Sequence, residues 1–158
     1  MHVVQELLNA LEKPAEIFDL KKDRSRFSMD WYYPILGGIN SKERIASLIG
    51  RIQDSFWIKG LGIKCVEDEP WVTVAETSEC SIAYKKIGED KIALELLHNA
   101  IAVVDREGIP YMGWQFNENI YWPEEKPSWT SAACILAADA NNQLTSAADL
   151  FIKKQFKP

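Results

Sequence analysis

The pattern Pro-x-x-Thr-x-Ala occurs twice in this chain, as Pro70-Trp71-Val72-Thr73-Val74-Ala75 and as Pro127-Ser128-Trp129-Thr130-Ser131-Ala132. Both copies run on into small and apolar residues at helical spacing. A repeat of this kind predicts a fold assembled from stacked copies of one supersecondary unit, each copy leading into a helix in the same way. The copies then diverge: the first continues with Glu76 and Glu79, and the second has Ala133 and Leu136 at the corresponding positions. On a helix the two glutamates fall in the same stripe as Val72, Ala83 and Ile87. Carboxylates inside an apolar stripe are where perturbed acids, and hence function, are to be sought.

Helical periodicity dominates elsewhere too. Residues 3–12 carry Val4, Leu7, Leu8 and Leu11, with Pro14 ending or restarting the run. Ser41 suits an N-cap for a helix through about residue 57, with Ile45, Leu48, Ile49, Ile52 and Phe56 on one face. The glutamate helix is predicted over 72–87 and stopped by Gly88. Helices over 90–104 and 128–141 follow, and Thr145 can cap a last one through about residue 155. In the segment 28–39, Pro34 allows either a helix that starts near Ser28 and kinks or a short one that starts at the proline; the first is preferred here.

Two long connections, 58–71 and 105–127, lack helical periodicity. The second alternates aromatic and polar residues and reads as a β-ribbon or ordered loop, since a structureless connection of that length is unusual inside a compact domain. Pairing the helices gives three antiparallel hairpins: 28–39 with 41–57, 72–87 with 90–104, and 128–141 with 145–155. Short links within pairs and long aromatic links between them suit an all-α, α/α-toroid architecture, whose inner helices line a cavity and whose long loops gather at its mouth. Three hairpins are about half of a six-hairpin barrel. A single domain over 1–158 would then leave an open apolar seam, to be covered by a missing N-terminal half or by a second copy in a homo-oligomer.

The chain of 158 residues carries a net charge of −5, which argues against nucleic acid or an anionic membrane surface as partner. No apolar run reaches the ~18 residues of a spanning helix, and the N-terminus lacks a signal peptide's layout. The three cysteines, Cys65, Cys80 and Cys134, suggest reduced thiols in a cytoplasm. Cys80 and Cys134 read as small buried hydrophobes, and Cys65, beside Lys64 in a loop, as the thiol that could be reactive.

Several runs are similar to bacterial prenyltransferase-like and squalene-cyclase-like proteins: Arg26 to Gly38, Gly60 to Val66, Pro70 to Cys80, and Trp122-Pro123 followed by Trp129 to Ala140. The resemblance covers roughly residues 20–151, in order, and matches the C-terminal half of those proteins. It implies a toroid of the terpenoid-cyclase superfamily and transferase or cyclase chemistry. The chemistry is not carried over by motif. The Asp-x-Asp-Asp acid of squalene–hopene cyclases is absent, and the only histidines, His2 and His98, offer no zinc set of the protein prenyltransferase kind. No cofactor or metal is evident.

The candidate catalytic residues are Glu76, Glu79 and Asp30. Two carboxylates one turn apart raise one another's affinity for a proton, as a general acid requires; the alternative is that they hydrogen-bond or pair structurally. Asp30 stands beside Trp31, Tyr32 and Tyr33, either as an acid on an aromatic platform or as a helix N-terminal acid stabilised by the dipole. Trp31, Tyr32, Trp71, Tyr111, Trp114, Trp122 and Trp129 are the candidate ligand-binding aromatics, with packing of an aromatic loop as the alternative. Asp139 reads as a cap for a neighbouring loop, and Lys85-Lys86 as solvated charge.

These features predict a cavity for a small apolar or polyhydroxylated molecule. The prenyl or terpenoid ligand implied by the resemblance is the leading reading. A carbohydrate-active toroid of the glycoside hydrolase kind is the first alternative, with Asp30 as second carboxylate because i and i+3 acids on one helix stand close for flanking a glycosidic bond. A non-catalytic binding or assembly module is the other.

Overall fold

The structure is a computed structural model and describes residues 2–13 and 23–153. In chain order it contains α1 (His2–Leu11), α2 (Met29–Gly37), α3 (Lys42–Arg51), β1 (Trp57–Ile58), β2 (Gly62–Ile63), β3 (Trp71–Thr73), α4 (Val74–Lys86), α5 (Asp90–Ile101), β4 (Gly113–Gln115), β5 (Ile120–Tyr121), α6 (Ser128–Asn142) and α7 (Asp149–Ile152). The described residues are mostly helical, as the periodicity implies, with two small antiparallel sheets; β4–β5 is the ribbon expected in the 105–127 connection, and β1, β2 and β3 were not expected. Pro14, expected to stop the first helix, lies outside the described residues.

α4 is the axis of the molecule. It packs on α5, α6 and α2, and Thr77, Ser78, Cys80, Ser81, Ile82, Ala83 and Tyr84 are all buried. A helix covered on several sides cannot show the two-faced polarity of a surface helix. Between α2, α3, α4 and α5 the main core gathers Tyr32, Ile35, Leu48, Phe56, Cys80 and Leu96. A second cluster joins α4, α5 and α6 through Ile82, Leu97, Ala137 and Ala140. Small residues on α6 let the backbones approach, and a polar contact fixes the register: Asn141 donates to Ser81 Oγ at 2.9 Å, and Ser81 donates to the carbonyl of Ala93 at 2.6 Å.

Several sequence-based boundaries shift for identifiable reasons. The helix expected over 41–57 begins as predicted, Ser41 Oγ accepting from Arg44 N at 3.1 Å, and is helical nearly to the expected end, but only as far as Arg51 in α form. A π-helical turn over Ile52–Phe56 follows, and Trp57 is already extended because β1 pairs with β2. That hairpin docks on α4 at Gly62. Its φ of +135° and its approach to Thr77, whose Oγ1 would lie 2.6 Å from an added Cβ, both require glycine. α2 spans Pro34, as preferred from sequence, and closes on Gly38 at φ +99°.

The last helix, expected over 145–155, is a 3₁₀ turn at Ser146–Ala148 and the short α7, and the part of that range beyond residue 153 lies outside the described residues. Thr145 does cap it, accepting from Ala147 N at 3.1 Å, and the Asp139 carboxylate holds Thr145 through its N–H and its hydroxyl, both at 2.7 Å.

The connection 105–127 is a ribbon. β3, β4 and β5 form one antiparallel sheet in which Thr73 faces Gly113, Val72 faces Trp114 and Trp71 faces Gln115. β4 then pairs Trp114 with Tyr121. The ribbon also finishes the N-terminus of α4. Thr73 occupies the N-cap without a side-chain bond, and the N–H of Val74 donates to the carbonyl of Met112 at 3.0 Å. The glutamate helix thus starts at Val74 rather than at residue 72, since Val72 and Thr73 are committed to the sheet.

Candidate functional site

Glu76 and Glu79 project from the first turns of α4 on the face left partly open beside α2. The tyrosines of α2 meet them there. Tyr32 is fully buried and its hydroxyl donates to Glu79 Oε2 at 2.7 Å. Burial raises the Glu79 carboxyl above its ordinary value; the Tyr32 hydrogen bond opposes this, and the charge of Glu76 adds to it. The carboxylates act back on the tyrosines. Burial and then the charges of Glu79 and Glu76 push Tyr32 well up, and the same influences bring Tyr33 to about 12.

Cys65 completes the group from the segment after β2. Its backbone carbonyl accepts from Ser28 N at 3.0 Å, which ties the segment to the start of α2. Burial first, and the Glu76 carboxylate second, push its thiol up to about 12. It is therefore held protonated and is not the reactive thiolate that its neighbour Lys64 suggested. Cys80 and Cys134 are buried, as their sequence context implied.

The remaining candidates divide. Asp30, on the first turn of α2, pairs with Arg24 at 3.1 Å and stands apart from the groups that shift Glu79. Trp31 donates from its indole to the carbonyl of Ser25 at 2.8 Å and lies under Arg51, 5.4 Å from ring centroid to guanidinium carbon. Tyr111 stacks on Tyr121 at 3.9 Å, and Trp114 meets the edge of the same ring at 5.0 Å. These two are packed into the ribbon. Trp129, in the first turn of α6, is 62% exposed.

Trp71 and Trp122 come together across the ribbon in a cleft of 520 Å³. A larger cavity of 980 Å³ lies at the opposite ends of α2 and α4, lined in part by Ile35, Ile39, Tyr84 and Lys86, and shares no residue with the glutamate site. Lys86 is half-buried there and donates to the carbonyl of Leu36 at 2.7 Å, so it is not solvated charge; burial lowers its pKa.

Tyr33 and Cys65 belong to the site although sequence reasoning did not place them in it. A tyrosine pair directly before the proline inside α2 was the available signal for the first; nothing local marks the second. Among the described residues no group of three or more His, Cys, Asp and Glu side chains is gathered as a metal site would need, and no helix is long and apolar enough to cross a membrane.

No established protein-family profile matches the chain. It is similar to an MMP endo-(1,4)-3-O-methyl-alpha-D-mannosidase of Mycolicibacterium hassiacum, at 38% identity over 148 residues, or 94% of this chain and 40% of the relative. Similarity over nearly the whole chain overturns the prenyltransferase-like and squalene-cyclase-like resemblance, because the relative cleaves a glycoside. Of the readings drawn from sequence, the carbohydrate-active alternative is the one this relative matches. The chain spans about two fifths of the relative's length.

Proposed function

We propose that the chain carries the acid side of a glycoside hydrolase site acting on an α-linked, partly O-methylated mannoside, with Glu79 as general acid. The observation that carries this reading is Glu79 itself: a half-buried carboxyl raised by burial and by Glu76, fixed by a fully buried tyrosine, on the open side of an otherwise covered helix. A glycosidase acid must keep its proton until the leaving oxygen needs it, and these are the physical means of keeping it. Tyr32 and Tyr33 both hydrogen-bond the carboxyl and so orient it, and a substrate would reach it from the Tyr33 side, where α2 is partly exposed.

Glu76 takes the place that the sequence reading gave to Asp30 as second carboxylate. Side chains one turn apart start ~5–6 Å from each other, which is near the ~5–5.5 Å between the carboxyl groups of retaining glycosidases, so the closeness of the pair does not rule it out. Asp30 is not given this role, because Arg24 engages it. The relative's name supports the substrate class, and the tyrosine-backed carboxyl supports the role. We further read the helix pairs α2/α3, α4/α5 and α6/α7 as hairpins of an α/α ring with α4 as an inner helix. In that ring the exposed Trp129, Ile135 and Leu136 of α6 mark the seam that another hairpin covers.

The test is hydrolysis of an α-(1,4)-linked 3-O-methylmannose oligosaccharide, followed as new reducing ends. Wild-type chain is expected to shorten the oligosaccharide and Glu79→Gln to lose this activity while keeping its fold by circular dichroism. Wild-type protein that does not cleave it, whether or not it binds, overturns the reading.

A further inference from the structure

The cleft between β3 and the β4–β5 turn does not include the glutamate site, yet it is built from the same segments. Trp71 and Trp122 form its aromatic walls, with Ile120 and Pro70 beside them. Glu69, Gln115 and Glu118 bring hydrogen-bonding oxygens to its rim. Neither carboxylate is paired with a cation among the described residues. The walls are held in place rather than left loose. Trp71 lies against Gly113, where an added Cβ would sit 2.4 Å from its indole nitrogen, and Trp122 donates its backbone N–H to the carbonyl of Gly113 at 3.1 Å. One glycine thus makes room for the Trp71 ring and holds the backbone at Trp122.

Trp122 is 57% exposed despite this anchoring. A largely exposed indole on a pinned backbone, lining the same 520 Å³ cleft as a second indole, is an arrangement that packing alone does not need. Its chemistry matches a pyranose ring. The rings offer flat faces to axial C–H groups, and the carboxylate and amide oxygens accept from hydroxyls. Ile120 and Pro70 add apolar surface suited to an O-methyl group.

The cleft is also continuous with the glutamate site along the chain. Cys65 touches Glu76, and its neighbour Val66 lines the cleft. Trp71 lies just upstream of α4, which carries Glu76 and Glu79. An enzyme that cuts within a chain must hold sugars on both sides of the scissile bond, so a second saccharide site at this end of α4 has a use.

We infer that this cleft is a saccharide subsite that binds an O-methylated mannose unit remote from the bond being cleaved. The inference rests on the glycosidase reading for its substrate class, and its test separates the two. Wild type, Trp122→Ala and Trp122→Phe are compared with the 3-O-methylmannose oligosaccharide and with a single-sugar aryl α-mannoside. Hydrolysis is measured for each, and binding is measured by calorimetry in a Glu79→Gln background.

Trp122→Ala is expected to weaken oligosaccharide binding about 10-fold and to raise KM to match, Trp122→Phe to restore most of the affinity, and the aryl mannoside to be affected far less. Hydrolysis with a KM that ignores Trp122 overturns the subsite and leaves the glycosidase reading intact. Trp122-dependent binding without any hydrolysis upholds the subsite and overturns the catalytic role. Binding of tetramethylammonium that requires Trp122 and is abolished by salt, with no saccharide binding, overturns the subsite in favour of a cation site formed by the tryptophans and carboxylates.

Discussion

The two Pro-x-x-Thr-x-Ala segments share a sequence pattern but not a structure. After Pro127 the helix starts at once, so that Ser128, Trp129 and Thr130 form its first turn and the N–H of Thr130 returns to the proline carbonyl at 3.1 Å. After Pro70 the same three positions, Trp71, Val72 and Thr73, are a strand, and α4 begins only at Val74. The cause is the neighbour. Val72 and Thr73 face Trp114 and Gly113 of β4, and among the described residues no such strand pairs with Ser128–Thr130. One six-residue pattern thus serves two starts. The start tied to the sheet is the one that carries both Glu76 and Glu79 and a wall of the tryptophan cleft.

The largest effect that can break this contrast is on activity. Under the glycosidase reading, Glu79→Gln is expected to lower turnover about 10³-fold, and Leu136→Gln, at the matching position of α6, to leave it unchanged. Equal losses in an oligosaccharide cleavage assay would show that the two helices are not functionally distinct.

Next in size is Gly113→Ala. The new methyl group would lie 2.4 Å from the Trp71 nitrogen and 2.5 Å from the Val72 carbonyl oxygen, both on the strand that separates the two starts. A loss of about 1–3 kcal/mol is expected in denaturant unfolding. A neutral result would mean that the strand is not what holds the first copy out of a helix.

Glu79→Gln also carries a stability signature with a defined sign. A carboxyl raised on folding costs nothing below its unfolded value of about 4.3, and costs progressively more as pH rises from there through its folded value. The glutamine variant should therefore have the same melting temperature as wild type in acid and a higher one at neutral pH. A variant that melts lower at neutral pH would instead mark Glu79 as a structural partner of Tyr32.

The smallest effect tests what the copies share. Thr73 and Thr130 are both buried, and neither hydroxyl has a partner among the described residues. Removing an unsatisfied buried hydroxyl relieves its desolvation cost, so Thr73→Val and Thr130→Val should each stabilise by about 0.5–1 kcal/mol. Opposite signs in thermal melts would show that the threonines, too, have diverged.

The helices were legible because apolar spacing survives in α3, α5 and α6, and because Ser41, Thr145, Gly38 and Gly88 mark their ends. Glu76 and Glu79 do sit one turn apart on α4, but not in the stripe expected of them: Val72 belongs to β3, Ile87 lies past the helix end, and the glutamates occupy its partly open face. Strand β3 was not legible: Trp71–Thr73 continues smoothly into helix periodicity, and only its distant partner β4 decides the backbone. Tyr33 and Cys65 were hidden in a similar way, since the field of the glutamates reaches them across space. The terpenoid-cyclase resemblance rested on runs that build the scaffold, in strands β2 and β3 as well as in helices, and one scaffold can carry unrelated chemistries.

The way α4 is enclosed has one more consequence, for where the molecule opens. A helix packed on α2, α5 and α6 gives up its amide hydrogens only when much of the domain opens, whereas β5 is two exposed residues at a sheet edge. The proposed acid and the proposed cleft would thus sit at opposite ends of the local stability range. A saccharide that spans both must leave before the domain can open, so it would slow the exchange of α4 as well as that of the ribbon amides. The backbone of Gly113 to Trp122 would report the bound sugar soonest, because its amides exchange on the shorter timescale.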